Sequence, residues 1–94
     1  MAKTFPISDV LSVVTETLVS SMEGVRNILN YMTGIDLSTS QIPSAMKECK
    51  QHILLQNPQL SNVPNVNVSD IPGWLDSQKY VYGDRLAITP INVS

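Results

Sequence analysis

Prolines and glycines punctuate this chain more decisively than any other feature, and their placement dictates where regular structure can begin and end. Proline lacks an amide donor and holds φ near −65°, so it belongs in the first turn of a helix or just past its end. Glycine beyond a last turn takes the left-handed conformation that closes a helix. Read this way, Pro43 and Pro72 open helices, Gly34 and Gly83 close them, and Asn57-Pro58 ends a third. What remains between these breaks is short. No segment approaches the roughly 18–20 apolar residues of a membrane span.

The apolar spacing inside those segments is helical. Ser20 or Ser21 offers an N-cap, Glu23 sits in the first turn, and Met22, Val25, Ile28, Leu29 and Met32 recur at three- and four-residue steps up to Gly34. Gly24 is the weak point of this helix, costing about 1 kcal/mol against alanine. A further helix spans about 40–56, with Ile42, Ala45, Met46, Cys49, Ile53 and Leu54 on one stripe and Lys47, Glu48, Lys50 and Gln51 facing water. Another starts near Ser69 or Asp70 and carries Ile71, Trp74, Leu75, Gln78 and Tyr82 on one face. Near the start, Ser8 is the expected cap of a short helix over 9–17, with Asp9, Ser12, Thr15 and Glu16 forming a wet face. Three valines and two threonines leave a strand as its rival.

Residues 57–69 hold four asparagines, two prolines and three valines without a charge, and read as a long loop with a brief extended piece at Val66-Asn67-Val68. Residues 1–6 and Leu86-Ala87-Ile88-Thr89 read as extended arms, and Phe5 could pair with Leu86–Ile88. The expected fold is mainly α: one small domain, 1–94, of about four short helices with extended termini and a minor two-stranded β element.

Composition narrows the function. Apolar residues make up 43% of the chain and mean hydropathy is +0.04, which suits a folded domain. Only 15% of residues are charged, the net charge is −2 and the isoelectric point is near 5.0. Such a balance supplies no electrostatic footprint for nucleic acid and is too mild for an acidic DNA mimic. Cys49 is the single cysteine, so no intrachain disulfide forms. The apolar N-terminal residues are interrupted at Ser12, Thr15 and Thr17, so no secretory h-region is expected. The Asn67-Val68-Ser69 and Asn92-Val93-Ser94 sequons then carry no meaning, and the expectation is a soluble cytoplasmic chain.

Catalytic chemistry finds little purchase. Cys49 and His52 lie three apart on one helix, the minimum for a thiolate–imidazole pair, but no nucleophile loop and no orienting third residue accompany them. Two ligands also fall short of a zinc site. Asp70 reads as a helix cap, Asp76 as a solvated residue, and the four glycines stand apart rather than forming a phosphate loop. No catalytic, cofactor or metal site is expected, and the chain is not read as an enzyme. Two binding modes remain. A helix-turn-helix built on the helix after Gly34 would present Gln41, Ser44 and Lys47 to DNA, though the turn is long and the bases are few. Alternatively, aromatic anchors would bind a protein: Tyr80 falls off the Trp74–Tyr82 stripe, whereas Trp74 also suits the core. Asp76 and Asp84 flank that region.

Thr4-Phe5-Pro6, Ser8-Asp9-Val10-Leu11-Ser12-Val13, Leu29-Asn30-Tyr31-Met32-Thr33-Gly34 and Gln41-Ile42-Pro43 together resemble a family of small proteins encoded in bacteriophage and prophage genomes. Trp74-Leu75 and Tyr82-Gly83-Asp84 resemble its C-terminal portion more loosely, and the Asn-rich loop departs from it. The resemblance implies an accessory protein made in the cytoplasm of an infected bacterium, with no active-site residues to carry over. It further implies an inhibitor of a bacterial defence system, most concretely an anti-CRISPR protein that binds a Cas protein or surveillance complex through Tyr80, Trp74, Asp76 and Asp84. A homodimer through the second or fourth helix is also open.

Overall fold

The best-capped segment anchors the architecture. In the computed structural model, which describes residues 3–91, the helix opened by Ser21 is α2, Met22–Thr33. The Ser21 hydroxyl accepts the Gly24 amide at 3.0 Å, and Gly34 closes the helix at φ 75°. Its Val25, Ile28, Leu29 and Met32 are buried as the spacing requires, while Met22 lies half exposed at the first turn. The remaining elements are β1 (Lys3–Pro6), α1 (Ile7–Thr15), α3 (Ile42–Gln56), α4 (Ile71–Tyr82) and β2 (Arg85–Ile88). The fold is mainly α, a small single domain with one two-stranded antiparallel sheet among the described residues. Its radius of gyration, 12.5 Å, is close to the ~12 Å of a packed chain of this length, so α4 is folded onto the rest. Asn92-Val93-Ser94 and the first two residues of the expected N-terminal arm lie outside the described residues.

α1 is the centre of the molecule. It packs against α2 and α3 on its sides and touches β1, β2 and α4. Ile7, Val10, Leu11, Val13 and Val14 are all buried, so burial outweighs the strand preference of its β-branched residues. The helix runs two residues earlier than expected at both ends, and Pro6, not Ser8, is its N-cap. The expected wet face is half wrong. Thr15 and Glu16 reach the surface, but Asp9 and Ser12 are buried, because a helix surrounded by neighbours has no solvent side to give them.

Ser12 is a small polar hub in that core. Its hydroxyl donates to the Ser8 carbonyl at 2.8 Å and accepts the buried Val19 amide at 3.0 Å, with the Ser20 hydroxyl 3.2 Å away. The chain leaves α1 through Glu16 in the left-handed region, φ 56°, and Ser12 fixes where it re-enters the core at Val19. Replacing Ser12 by alanine strands the Val19 N–H, and the expected loss is about 1–3 kcal/mol, read as a lowered urea midpoint at unchanged slope.

α3 follows a 3₁₀ turn at Thr39–Gln41, so it begins at Ile42 rather than near 40. Ile42, Ala45, Cys49 and Ile53 are buried, Met46 and Leu54 partly so. The stretch after Asn57 holds more regular structure than the long loop expected. Pro58–Asn62 form a second 3₁₀ turn that buries Leu60, and Val63 and Val66 pack against the core. Val66–Val68 form no strand. α4 starts on Asp70, whose carboxylate accepts the Gly73 amide at 3.1 Å. β2 then returns to β1 with Lys3 opposite Ile88 and Phe5 opposite Leu86, which is the pairing anticipated from the sequence. The Gln56 amide extends the tie, donating to the Thr89 carbonyl at 3.1 Å and accepting its N–H at 2.9 Å.

Candidate functional site

A face built from residues that contribute nothing to the core is the natural place to look for binding, and α4 provides one. Trp74 and Gln78 are its buried seam, with Ile71, Leu75 and Tyr82 half-buried beside them. The helical period sets Tyr80 opposite that seam, one turn beyond Asp76. Tyr80 is 93% exposed, and its neighbours Asp76, Ser77 and Val81 are exposed with it. Asp84 follows just past Gly83; its side chain is exposed while its carbonyl accepts the Ile7 amide at 2.8 Å and thereby fixes the end of the helix against α1. The exposed ring thus shares its helix face with Asp76 and the apolar Val81, and Asp84 is exposed just past the helix end.

Trp74 does not belong to this face. It is only 8% exposed and sits in the hydrophobic core, which corrects its expected place among the partner-binding residues. The physical reason is its register: Trp74 lies one turn before Gln78 on the buried side. Its indole N–H has no hydrogen-bond partner among the described residues.

The three residues of the helix-turn-helix reading lie at the start of α3. Ser44 and Lys47 are exposed on its outer surface. Gln41 is exposed too, but its amide oxygen accepts the Ser38 N–H at 2.9 Å and the Ser38 hydroxyl at 3.1 Å, so it is committed to capping. Lys50, the other base on the helix, pairs with Glu16 at 3.1 Å. Gln41 and Ser44 also line a cleft of about 440 Å³ with Ile35, Leu37 and Ile91.

Cys49 is fully buried, and burial first, then the neighbouring Glu48 charge, pushes its thiol up to about 11. In that state the protonated thiol is favoured at neutral pH, the opposite of an activated nucleophile. Among the described residues no group of three or more histidine, cysteine, aspartate or glutamate side chains could hold a metal ion, and no helix is long and apolar enough to cross a membrane.

A family model described as a domain of unknown function, DUF7736, matches residues 5–63, well over half of the chain. The chain belongs to the DUF7736 family. That description names no activity, source or partner. The matched span runs from β1 through α1, α2 and α3 to just beyond the second 3₁₀ turn. It therefore contains Gln41, Ser44 and Lys47, while Asp76, Tyr80 and Asp84 lie in the segment after it. Searches of curated proteins and of solved structures return no match.

Exposure of Tyr80 was readable from the sequence, because it fell off the apolar stripe. Two groups were not anticipated: the buried carboxylate of Asp9, and the basic side chains of Lys3 and Arg85 that the sheet brings near it. They come from three separate segments, and no local spacing signals their meeting.

Proposed function

We propose that this chain is a non-enzymatic inhibitor that docks onto a protein assembly through the outer face of α4. The observation that carries the reading is Tyr80, almost wholly exposed between Asp76 and Asp84 and beside Val81. Stability gives no reason to place a large aromatic side chain there. Tyrosine supplies contact area at low entropic cost, and such residues dominate binding when a partner desolvates them. Flanking carboxylates suit a partner surface rich in arginine and lysine, such as one that otherwise holds nucleic acid. A standard interface of about 800 Å² per partner would use roughly one-seventh of the chain's 5516 Å². The domain is then large enough to cover a docking surface, and occlusion needs no chemistry.

The resemblance to phage and prophage proteins supplies the setting. The target is a bacterial defence complex in the infected cell's cytoplasm, and the most concrete form is an anti-CRISPR protein acting on a Cas protein or surveillance complex. The alternative, a DNA-binding regulator using the helix after Gly34, draws on the exposure of Ser44 and Lys47. It ranks second because Gln41 and Lys50 are already engaged.

The test is phage plaquing on cells whose CRISPR–Cas system targets that phage, with and without the protein expressed. Restored plaquing is expected. Tyr80→Ala is expected to weaken partner binding by about 2 kcal/mol, roughly thirtyfold. As a surface substitution it should leave stability within about 0.5 kcal/mol. Plaquing that stays restricted against every CRISPR type tried rejects the anti-CRISPR form. Salt-released DNA binding that Lys47→Ala abolishes would instead favour the regulator.

A further inference from the structure

A sheet of two strands has two outer edges, and this fold treats them differently. Hydrogen bonding in an antiparallel pair alternates, so every second residue turns its N–H and C=O away from the partner strand. The Ile7 amide fixes the phase, because it donates to the Asp84 carbonyl at 2.8 Å. In the observed register the pairs Phe5–Leu86 and Lys3–Ile88 share that phase and bond inward. Thr4 and Pro6 on β1, and Arg85, Ala87 and then Thr89 on the other chain segment, therefore turn their backbone groups outward.

Most of those outward groups are closed. Pro6 has no N–H, and as the N-cap of α1 it turns its carbonyl into the helix. The Thr4 carbonyl accepts a terminal guanidinium nitrogen of Arg85 at 3.0 Å, while the Arg85 Nε donates to the Thr4 hydroxyl at 3.2 Å. A lone Thr4 N–H on that edge cannot hold a strand. Past the end of β2, the Gln56 side-chain amide engages both backbone groups of Thr89, standing where a third strand would. The open stretch is Arg85–Ala87. Both residues are exposed, and nothing among the described residues hydrogen-bonds to their outward N–H and C=O groups. Such an edge is a template for another extended chain.

The open edge is complementary to itself. A two-fold axis through Leu86 sets Arg85 of one copy opposite Ala87 of the other, so each open N–H meets an open C=O. The neighbouring registers fail. Centring on Ala87 sets Arg85 against Thr89, which Gln56 already holds, and centring on Arg85 presses two guanidinium side chains together. With Leu86 on the axis, the long Arg85 faces the small Ala87, and the half-buried Leu86 side chains meet on the core face. Because the β1 edge is closed, the assembly stops at two copies rather than growing.

We propose that the chain pairs with a second copy of itself through β2, in the antiparallel register centred on Leu86, joining the two-stranded sheets into one. The ladder is short, so the dimer is weak and concentration-dependent. The inference does not rest on the α4 docking face, and its test needs no other partner.

The experiment is sedimentation velocity of the full chain from micromolar to millimolar concentration, together with NMR on an equal mixture of isotope-labelled and unlabelled protein. A reversible monomer–dimer equilibrium is expected, with an intermolecular Overhauser contact between the Hα atoms of the two Leu86 residues. Those atoms come close only where a non-hydrogen-bonded pair sits on the axis. Ala87→Pro removes an outward N–H and leaves the inward ladder its donors, so it should weaken the dimer at least about tenfold with the monomer's melting temperature little changed. If that variant folds poorly, the Leu86 contact in the native protein decides the matter. A monomer at millimolar concentration, a dimer without the Leu86 contact, or species larger than a dimer would overturn the proposal.

Discussion

Gly24→Ala is expected to lower the stability of this protein, although alanine is the better helix former by about 1 kcal/mol. A Cβ at position 24 would overlap the Asp9 carboxylate, which is packed against the α2 backbone with little room to retreat. Overfilling of this kind costs about 1–3 kcal/mol. The net effect should be a loss of up to about 2 kcal/mol, or a melting temperature lowered by up to about 16 °C. The sign should reverse in an Asp9→Ala background. With the carboxylate gone, the same glycine-to-alanine change regains its helix propensity and raises stability. A thermal-melt double-mutant cycle measures this directly, and equal effects of Gly24→Ala in both backgrounds would reject the contact.

The other large effect is in α3. Ile53 is fully buried whereas Leu55, two residues on, is 77% exposed. Ile53→Ala should cost about 2–5 kcal/mol, the transfer term plus the cavity that the surrounding helices cannot fill. Domains of this size hold only about 5–15 kcal/mol in total, so this one change removes a large fraction. Leu55→Ala should fall within about 0.5 kcal/mol. Urea denaturation of the two variants compares the faces of one helix. Similar midpoints for both would mean that α3 is rotated from the orientation described.

How far the sequence carries can be judged from particular residues. The Ser21 cap and the Gly34 terminus of α2 were legible because both are local, set by side-chain chemistry within a few positions. Pairing of Phe5 with Leu86 was legible because the two apolar arms had no other partner at hand. The burial of Asp9 and Ser12 was not. Helical periodicity assumes one wet face, and only the tertiary arrangement makes α1 a helix without one. Gly24 illustrates the same limit. It reads as a weakness in α2, yet the missing side chain is what lets α1 and α2 meet around Asp9. For the candidate site, Tyr80 could be read as exposed from its register, whereas Trp74 needed the packing to assign it to the core.

The ladder between Lys3–Pro6 and Arg85–Ile88 has a kinetic meaning beyond its four residue pairs. It closes a ring across almost the whole described chain, and contacts of such wide sequence separation are favoured late in folding. α1, α2 and α3 pack extensively on one another, while α4 packs more thinly on α1. The segment from Asp70 to Ile88 is then a strap, its Tyr82 hydroxyl donating to the Gln59 carbonyl at 3.5 Å and its end latched by the ladder. Opening the latch releases the strap as one cooperative unit below the free energy of global unfolding. Hydrogen exchange at α4 and at both strands should share that opening, ahead of α2 and α3. Were a partner to seat on Tyr80 as proposed and bind the latched strap alone, its binding energy would also fasten the two ends of the ring.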